Sequence, residues 1–352
     1  MAIVECGAML GAYLMRKFGK RLSLALLTVA VILVVAITLT IGWRPFLGPR
    51  SRRLTEQKFE LTPERLARGK YLANSVMGCT YCHSQHDWKA PGGPAIPAKL
   101  GAGQVFPEKN LPGMVIAPNL TPDQETGAGT WSDDQFARAI REGIGHDGRT
   151  LFPLMPYRHF RSMSDEDLAS IVVYLHSLPP VHNPLPKTEI IFPVKYLIRA
   201  APQPLSDPVP PPDMSTPVKR GEYLTRMASC ASCHTPQQRG QANMDMVFAG
   251  GFEFNVGPLP TVATANITSD SSGISYYDEN LFLQAMRTGK VRARELSAVM
   301  PWVGYTNMTD DDLKAIFAYL RTVKPVQHRV DNSLPATFCK LCQSKHGAGD
   351  QN

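Results

Sequence analysis

Two pentapeptides constrain this 352-residue chain more than anything else in it: Cys79-Thr80-Tyr81-Cys82-His83 and Cys230-Ala231-Ser232-Cys233-His234. Residues three and four apart share a helix face, so each stretch presents two thiols and an imidazole on one side of a single turn. C-x-x-C-H is the attachment signature of c-type haem, in which the thiols bond one porphyrin and the imidazole meets its iron. A thioredoxin-like redox pair or half a zinc site would need only the cysteines. Two motifs in matching surroundings favour haem. Two covalently bound haem c groups are therefore expected, on Cys79, Cys82, Cys230 and Cys233, with His83 and His234 as metal ligands.

The surroundings match because the chain repeats itself. Thr62-Pro63 and Thr216-Pro217 each set a capping hydroxyl before a proline at the first helical position. Arg68-Gly69-Lys70-Tyr71-Leu72 aligns with Arg220-Gly221-Glu222-Tyr223-Leu224, and each helix runs into its cysteine motif. The loops at Asn119-Leu120-Thr121 and Asn266-Ile267-Thr268 correspond, as do capped helices ending at Gly143 and Gly289. Ser164 and Thr309 open the last helix of each copy. Leu168, Ile171, Val172 and Leu175 form one apolar stripe there, and Leu313, Ile316, Phe317 and Leu320 form the other. The pattern predicts an all-α fold with two tandem haem domains, 62–182 and 216–328.

Charge narrows the function classes. Residues 1–53 hold eight Lys/Arg against one acid, and the other 299 residues hold 29 of each sign, so the body has no electrostatic footprint for nucleic acid. Residues 22–43 carry no charge and are long enough to span about 30 Å of hydrocarbon. Arg16, Lys17, Lys20 and Arg21 precede them, which predicts a cytoplasmic N-terminus at 1–21 and export of everything after residue 43. No small-residue cleavage site follows, so an uncleaved transmembrane helix is expected. Residues 44–61 read as a linker. Residues 183–215 read as a stiff proline-rich linker, since Pro179 to Pro217 contains twelve of the chain's thirty prolines.

These motifs resemble the multihaem cytochrome c subunits of bacterial membrane-bound alcohol, aldehyde and gluconate dehydrogenases, and related anchored dihaem cytochromes. The resemblance rests on the G-x-Y-L helix, C-x-x-C-H, the N-[LI]-T-x-D loop, Trp131-Ser132-Asp133 with Phe136, Met155-Pro156-Tyr157, and the closing helix from Met163. The second copy keeps these more loosely, with Tyr277 for the tryptophan and Met300-Pro301-Trp302. The subunits usually carry three haem domains and a C-terminal attachment, whereas this chain has two motifs and an N-terminal apolar helix. The resemblance implies a single-pass protein of the bacterial inner membrane, with haem domains facing the periplasm. It also implies redox partners: a membrane dehydrogenase, a quinol-oxidising complex, a terminal oxidase or a mobile carrier.

The sixth iron position decides between carrying electrons and doing chemistry. Met155 lies 72 residues after His83 and Met300 lies 66 after His234, each followed by proline and an aromatic. Proline fixes φ and keeps the segment out of helix, so a loop can hold the sulfur against the porphyrin. Methionine closes the site and raises the potential, which suits electron transfer. Met77, Met114 and Met163 compete in the first copy, Met286 and Met308 in the second. No catalytic residue is expected. The alternative is a peroxidase-like dihaem enzyme with one open iron. A third pair, Cys339 and Cys342, is followed by Gln343, with His346 four positions on. A local disulfide in a C-terminal tail, 329–352, is the expected reading; two free thiols, a metal or a nonstandard haem are the alternatives.

Overall fold

The computed structural model describes residues 2–238 and 240–351. Its first helix, α1 (Ala2–Leu39), includes the apolar stretch Tyr13–Leu39, none of which is buried against the rest of the protein. Those 27 residues rise about 40 Å, enough to cross a bilayer. The expected span of 22–43 is shifted. The helix starts far earlier, through the basic cluster, and stops at Leu39, where a turn with Gly42 at φ +67° leads into α2 (Arg44–Leu47). The Cys6 side chain lies outside the described residues.

The segment after α2, expected as a free linker, is docked. Arg52 reaches the buried carboxylates of Asp134 (2.5 Å) and Glu142 (2.7 Å), and the backbone N–H groups of Thr55 and Phe59 donate to Asp134 and Asp133. Asp133 and Asp134 sit in the first turn of the helix Asp133–Glu142, where helix N–H groups also favour negative charge. Side chains 80 residues away in sequence cannot be matched by local pattern, so a polar stretch reads as linker.

Two sets of helices follow. The first is α3 (Pro63–Tyr71), α4 (Cys79–Cys82), α5 (Asp133–Glu142), α6 (Tyr157–Phe160) and α7 (Asp165–His176). After the short α8 (Val194–Leu197) comes the second: α9 (Pro217–Met227), α10 (Cys230–His234), α11 (Glu279–Thr288), α12 (Trp302–Tyr305) and α13 (Asp310–Leu320). The caps form as the residues dictate. Thr62, Ser132 and Ser164 accept N–H bonds from Arg65, Gln135 and Asp167, and Thr216, Asp278 and Thr309 do so from Lys219, Leu281 and Asp312.

In each set the opening and closing helices cross at a glycine. A Cβ on Gly69 would stand 2.8 Å from Tyr174 Cβ, and one on Gly221 would stand 2.9 Å from Tyr319 Cβ, with a carbonyl oxygen nearer still in both cases. That approach sinks Leu72, Leu168, Ile171 and Leu175 into one half of the core, and Leu224, Leu313 and Leu320 into the other. Each such side chain contributes about 1.5–3 kcal/mol by leaving water.

The two sets clasp each other reciprocally. Tyr71 donates to Asp312, whose carboxylate also holds Arg220 (2.5 Å); Tyr223 donates to Asp167 (2.7 Å), which also holds Arg68 (2.8 Å). Each carboxylate thus serves its own set and the other. A hydrogen bond to a charged partner is worth about 1.5–3 kcal/mol, and one hydrophobic core runs through both sets.

Helices supply the buried core, but six two-stranded antiparallel ribbons lie among the described loops, which the all-α expectation omitted. One pairs Gly113–Met114 with Glu189–Ile190 in the proline-rich connector. That connector is therefore no free spacer: it carries α8, which packs on α2. The C-terminal segment closes a ribbon of Ala336–Phe338 with Lys345–Gly347, and Cys339 and Cys342 are buried free thiols instead of the expected disulfide. Their sulfurs lie with the imidazoles of His328 and His346.

Candidate functional site: two cysteine–histidine turns on one cavity

A left-handed residue starts each motif, Gly78 at φ +63° and Ser229 at φ +55°, and turns the chain sharply from α3 or α9 into the short cysteine helix. Cys79 and Cys82 then share a face of α4, and Cys230 and Cys233 share a face of α10; all four are free thiols. His83 Nδ1 donates to Pro118 O at 2.8 Å, and His234 Nδ1 donates to Ala265 O at 2.8 Å. That bond fixes the tautomer, so Nε2 of each ring carries the lone pair. Burial holds both imidazoles below their usual pKa, hence neutral and able to ligate a metal.

The loops receiving these histidines are built alike. Asn119 donates to Val181 O and accepts from Thr121; Asn266 donates to Val326 O and accepts from Thr268. Both asparagines are buried, so their full hydrogen bonding is what permits the loops there.

Met155 and Met300 occupy matching backbone. Each N–H bonds the carbonyl three residues back, Phe152 O or Ser297 O, and the following prolines adopt φ −83°, ψ 44° and φ −77°, ψ 45°. The aromatic that follows lies on the glycine ending α5 or α11: a Cβ on Gly143 would come within 2.6 Å of the Tyr157 ring, and one on Gly289 within 2.7 Å of Trp302. Tyr157 Oη and Trp302 Nε1 are both buried with no hydrogen-bond partner among the described residues. An indole N–H can only donate, so the second position calls for an acceptor. The donor set of two thiols and a neutral imidazole fits haem c in both copies.

Met300 lines a cavity of 2120 Å³ together with Cys230, Cys233 and His234. The same cavity reaches Tyr81 and Cys82 of the first motif and the Leu154 and Pro156 that flank Met155. Among the competitors, Met163 and Met308 are buried at equivalent core positions, and Met114 is paired into the connector ribbon. Met77, Met286 and Met308 line the cavity. Tyr305 on α12 also lines it, and burial raises its phenol well above the usual value. It shares that lining with Cys82 of the first motif and with Cys230 and Cys233 of the second.

The Cytochrome c family pattern matches this chain twice, over residues 66–179 and 218–324. The chain belongs to the cytochrome c family. The cytochrome c subunit of the quinone-type alcohol dehydrogenase of Gluconacetobacter polyoxogenes is 30% identical over 278 residues, 74% of this cytochrome and 56% of the relative. The fructose dehydrogenase cytochrome subunit of Gluconobacter japonicus is 31% identical, covering 73% and 52%. A dihaem c-type cytochrome of Cereibacter sphaeroides is 24% identical, covering 71% and 83%. This cytochrome thus spans about half the length of the dehydrogenase subunits it matches.

The sequence pointed to the cysteines, histidines and methionines of the cytochrome, but not to Tyr305 or to Tyr81, whose hydroxyl donates to Ala298 O (2.9 Å) in the loop before Met300. Neither position is set apart by a motif. Of the histidines outside the two motifs, His86 has both ring nitrogens on backbone carbonyls, of Gly93 and Tyr81, and stacks on Trp88 at 4.7 Å. His176 pairs with Asp133.

Proposed function

We propose that this cytochrome is a membrane-anchored electron carrier with two haem c groups in tandem cytochrome c domains, 62–182 and 216–328. Cys79, Cys82 and His83 hold one group and Cys230, Cys233 and His234 the other, with Met155 and Met300 as the sixth ligands. The haem-bearing part faces the periplasm, anchored by α1. The carrying observation is that one cavity is lined by residues of both cysteine motifs, Cys82 on one side and Cys230, Cys233 and His234 on the other.

When bound, haem c supplies a one-electron couple whose potential follows its axial ligands and its exclusion from water. The protein's part is to hold and to shield. Pro118 O and Ala265 O orient the imidazoles; Pro156 and Pro301 keep the methionine loops out of helix; Tyr305 and Tyr81 fill the space between the motifs and exclude water from it. The naming of several relatives as dehydrogenase cytochrome subunits supports a dehydrogenase as electron donor; a terminal oxidase or a mobile carrier would take the electrons on.

The test is ligand replacement. Met155→Ala and Met300→Ala should each lower the potential of one haem and open its reduced iron to carbon monoxide, while the unmodified reduced protein binds none. Stoichiometric carbon monoxide binding by the unmodified protein, or rapid peroxide turnover, would establish an open iron and an enzyme instead. A pyridine haemochrome assay should give two haems per chain.

A further inference from the structure

At the edge of the same cavity, which His328 lines, four metal-ligating side chains converge in the C-terminal part. His328, Cys339, Cys342 and His346 each offer one ligand atom, all within 4.8 Å of one another, and all four residues are buried. His328 Nε2 lies 3.3 Å from Cys339 Sγ and 2.7 Å from His346 Nε2.

Comparison with the first set of helices shows what the second has been altered to hold. Asn183 and His328 stand at matching points. Each takes its backbone N–H to the hydroxyl of the preceding loop, Thr126 or Ser272, and each side chain bonds the corresponding carbonyl, Ala102 O at 2.7 Å or Ala249 O at 2.9 Å. Asparagine satisfies that task completely. Histidine adds a second nitrogen, and because Nδ1 is committed to Ala249 O, Nε2 carries the lone pair and faces the sulfurs.

Room for the rings comes from a second change. Gly103 and Gly250 both donate to the haem-motif histidine carbonyl, so the next residues correspond: Gln104, buried with its amide on Cys82 O, and Gly251. A Cβ on Gly251 would lie 2.7 Å from His328 Cε1 and 3.2 Å from His346 Cδ2. The glycine is the floor of the cluster.

The remaining ligands come from a hairpin that the first set lacks. Its turn holds Cys339 and Cys342, with Gln343 at φ +58° and its N–H on Cys339 O; the returning strand brings His346. Two sulfurs and two imidazole nitrogens at one dry point are the ligand set of a tetrahedral structural zinc site. Such a tetrahedron has donor separations of about 3.3–3.8 Å from its bond lengths; to form it the two imidazoles spread from 2.7 Å and the widest pair draws in from up to 4.8 Å.

We propose that His328, Cys339, Cys342 and His346 form a structural zinc site that fastens the C-terminal hairpin to the second haem domain. Binding displaces the thiol protons to solvent and involves no change of oxidation state. The bound ion also keeps the cysteine pair from closing into a disulfide in an oxidising compartment.

The experiment uses the full-length haem-loaded protein, purified from membranes in mild detergent without chelator. Elemental analysis should give about one zinc for every two haems, and zinc X-ray absorption should show two sulfurs near 2.3 Å and two nitrogens near 2.0 Å. Cys342→Ser and His346→Gln should lower zinc content by about tenfold or more while the haem spectra stay unchanged. The inference fails if the purified protein holds no zinc and its reduced form takes up no added Zn²⁺. It fails equally if peptide mapping finds a Cys339–Cys342 disulfide, if another metal fills the site, or if the variants keep their zinc. Haem content and haem potentials read the electron-carrier proposal separately.

Discussion

Replacing Gly221 by alanine puts the helix crossing on trial. In the middle of a helix this substitution should stabilise by about 0.8–1 kcal/mol through propensity alone. Here the added methyl would sit 2.9 Å from Tyr319 Cβ and closer still to the Ala315 carbonyl. Non-bonded carbons rest at about 3.5–4.0 Å, so α9 and α13 must part by roughly 1 Å or more. Overpacking of that kind costs about 3 kcal/mol, more than the propensity gain, and neighbouring contacts of Leu224 and Met227 loosen with it. With one core running through both sets, the unit that melts is nearer ~250 residues than ~100, and a net loss of about 2 kcal/mol lowers Tm by roughly 4–8 °C. Gly69→Ala is the internal replicate, since Tyr174 Cβ is 2.8 Å from its added methyl. Circular dichroism melts of the haem-loaded variants measure the effect, and haem absorbance shows which half yields first. A variant that melts within about 2 °C of the parent would refute the crossing geometry.

Tyr71→Phe and Tyr223→Phe should each destabilise by about 1.5–3 kcal/mol, because each leaves a buried carboxylate short of one donor. A cycle combining Tyr71→Phe with Asp312→Asn should show coupling well above that for Tyr71→Phe with Asp167→Asn. The docked strap should respond to acid. Burial pushes the Asp134 carboxyl up, but hydrogen bonds from Arg52 and the Thr55 N–H more than offset this and leave it below the usual range. Its stabilisation is therefore complete above the ordinary carboxylate value near 4 and is lost as pH falls through the depressed one. Glu142 works the other way: burial raises its pKa, so protonation relieves part of its cost. Asp134→Asn should lower stability at pH 7 by about 3 kcal/mol and flatten the acid limb of a Tm-against-pH curve. A limb of unchanged steepness would count against the assignment.

What could be read in the sequence was what local chemistry dictates. Thr62, Ser164, Thr216 and Thr309 cap because a hydroxyl precedes a helix, and Phe136 and Phe282 are buried because of their place on an apolar face. The candidate cofactor residues were legible for the same reason, since attachment chemistry fixes their spacing within five residues. What escaped depends on distant partners. Arg52 looks like a linker residue until Asp134 arrives from 82 positions away. His328 looks like one histidine among several until the hairpin delivers Cys339 and His346. The connector at 183–215 has a spacer's composition, and only pairing of Glu189–Ile190 with Gly113–Met114 makes it part of the body.

The exchanged tyrosines bear on how a duplicated protein ages. After duplication, two copies usually drift apart, because each can accept changes without consulting the other. Here the residue that closes one copy's own helix pair is also the anchor for its sibling: Asp167 answers to Arg68 and Tyr223, Asp312 to Arg220 and Tyr71. Neither aspartate can be traded for a residue that suits only its own half. The repeat is therefore locked at its seam and released elsewhere, which is where the divergence lies, in the loop before Met300 and in the added hairpin at the C-terminus. A recombinant joining two first copies would recover the tyrosine, arginine and aspartate at the seam, yet place Gln104 and Asn183 where Gly251 and His328 now line the cavity. Interchangeability of the halves has been given up at the rim of the cavity while it persists at the centre.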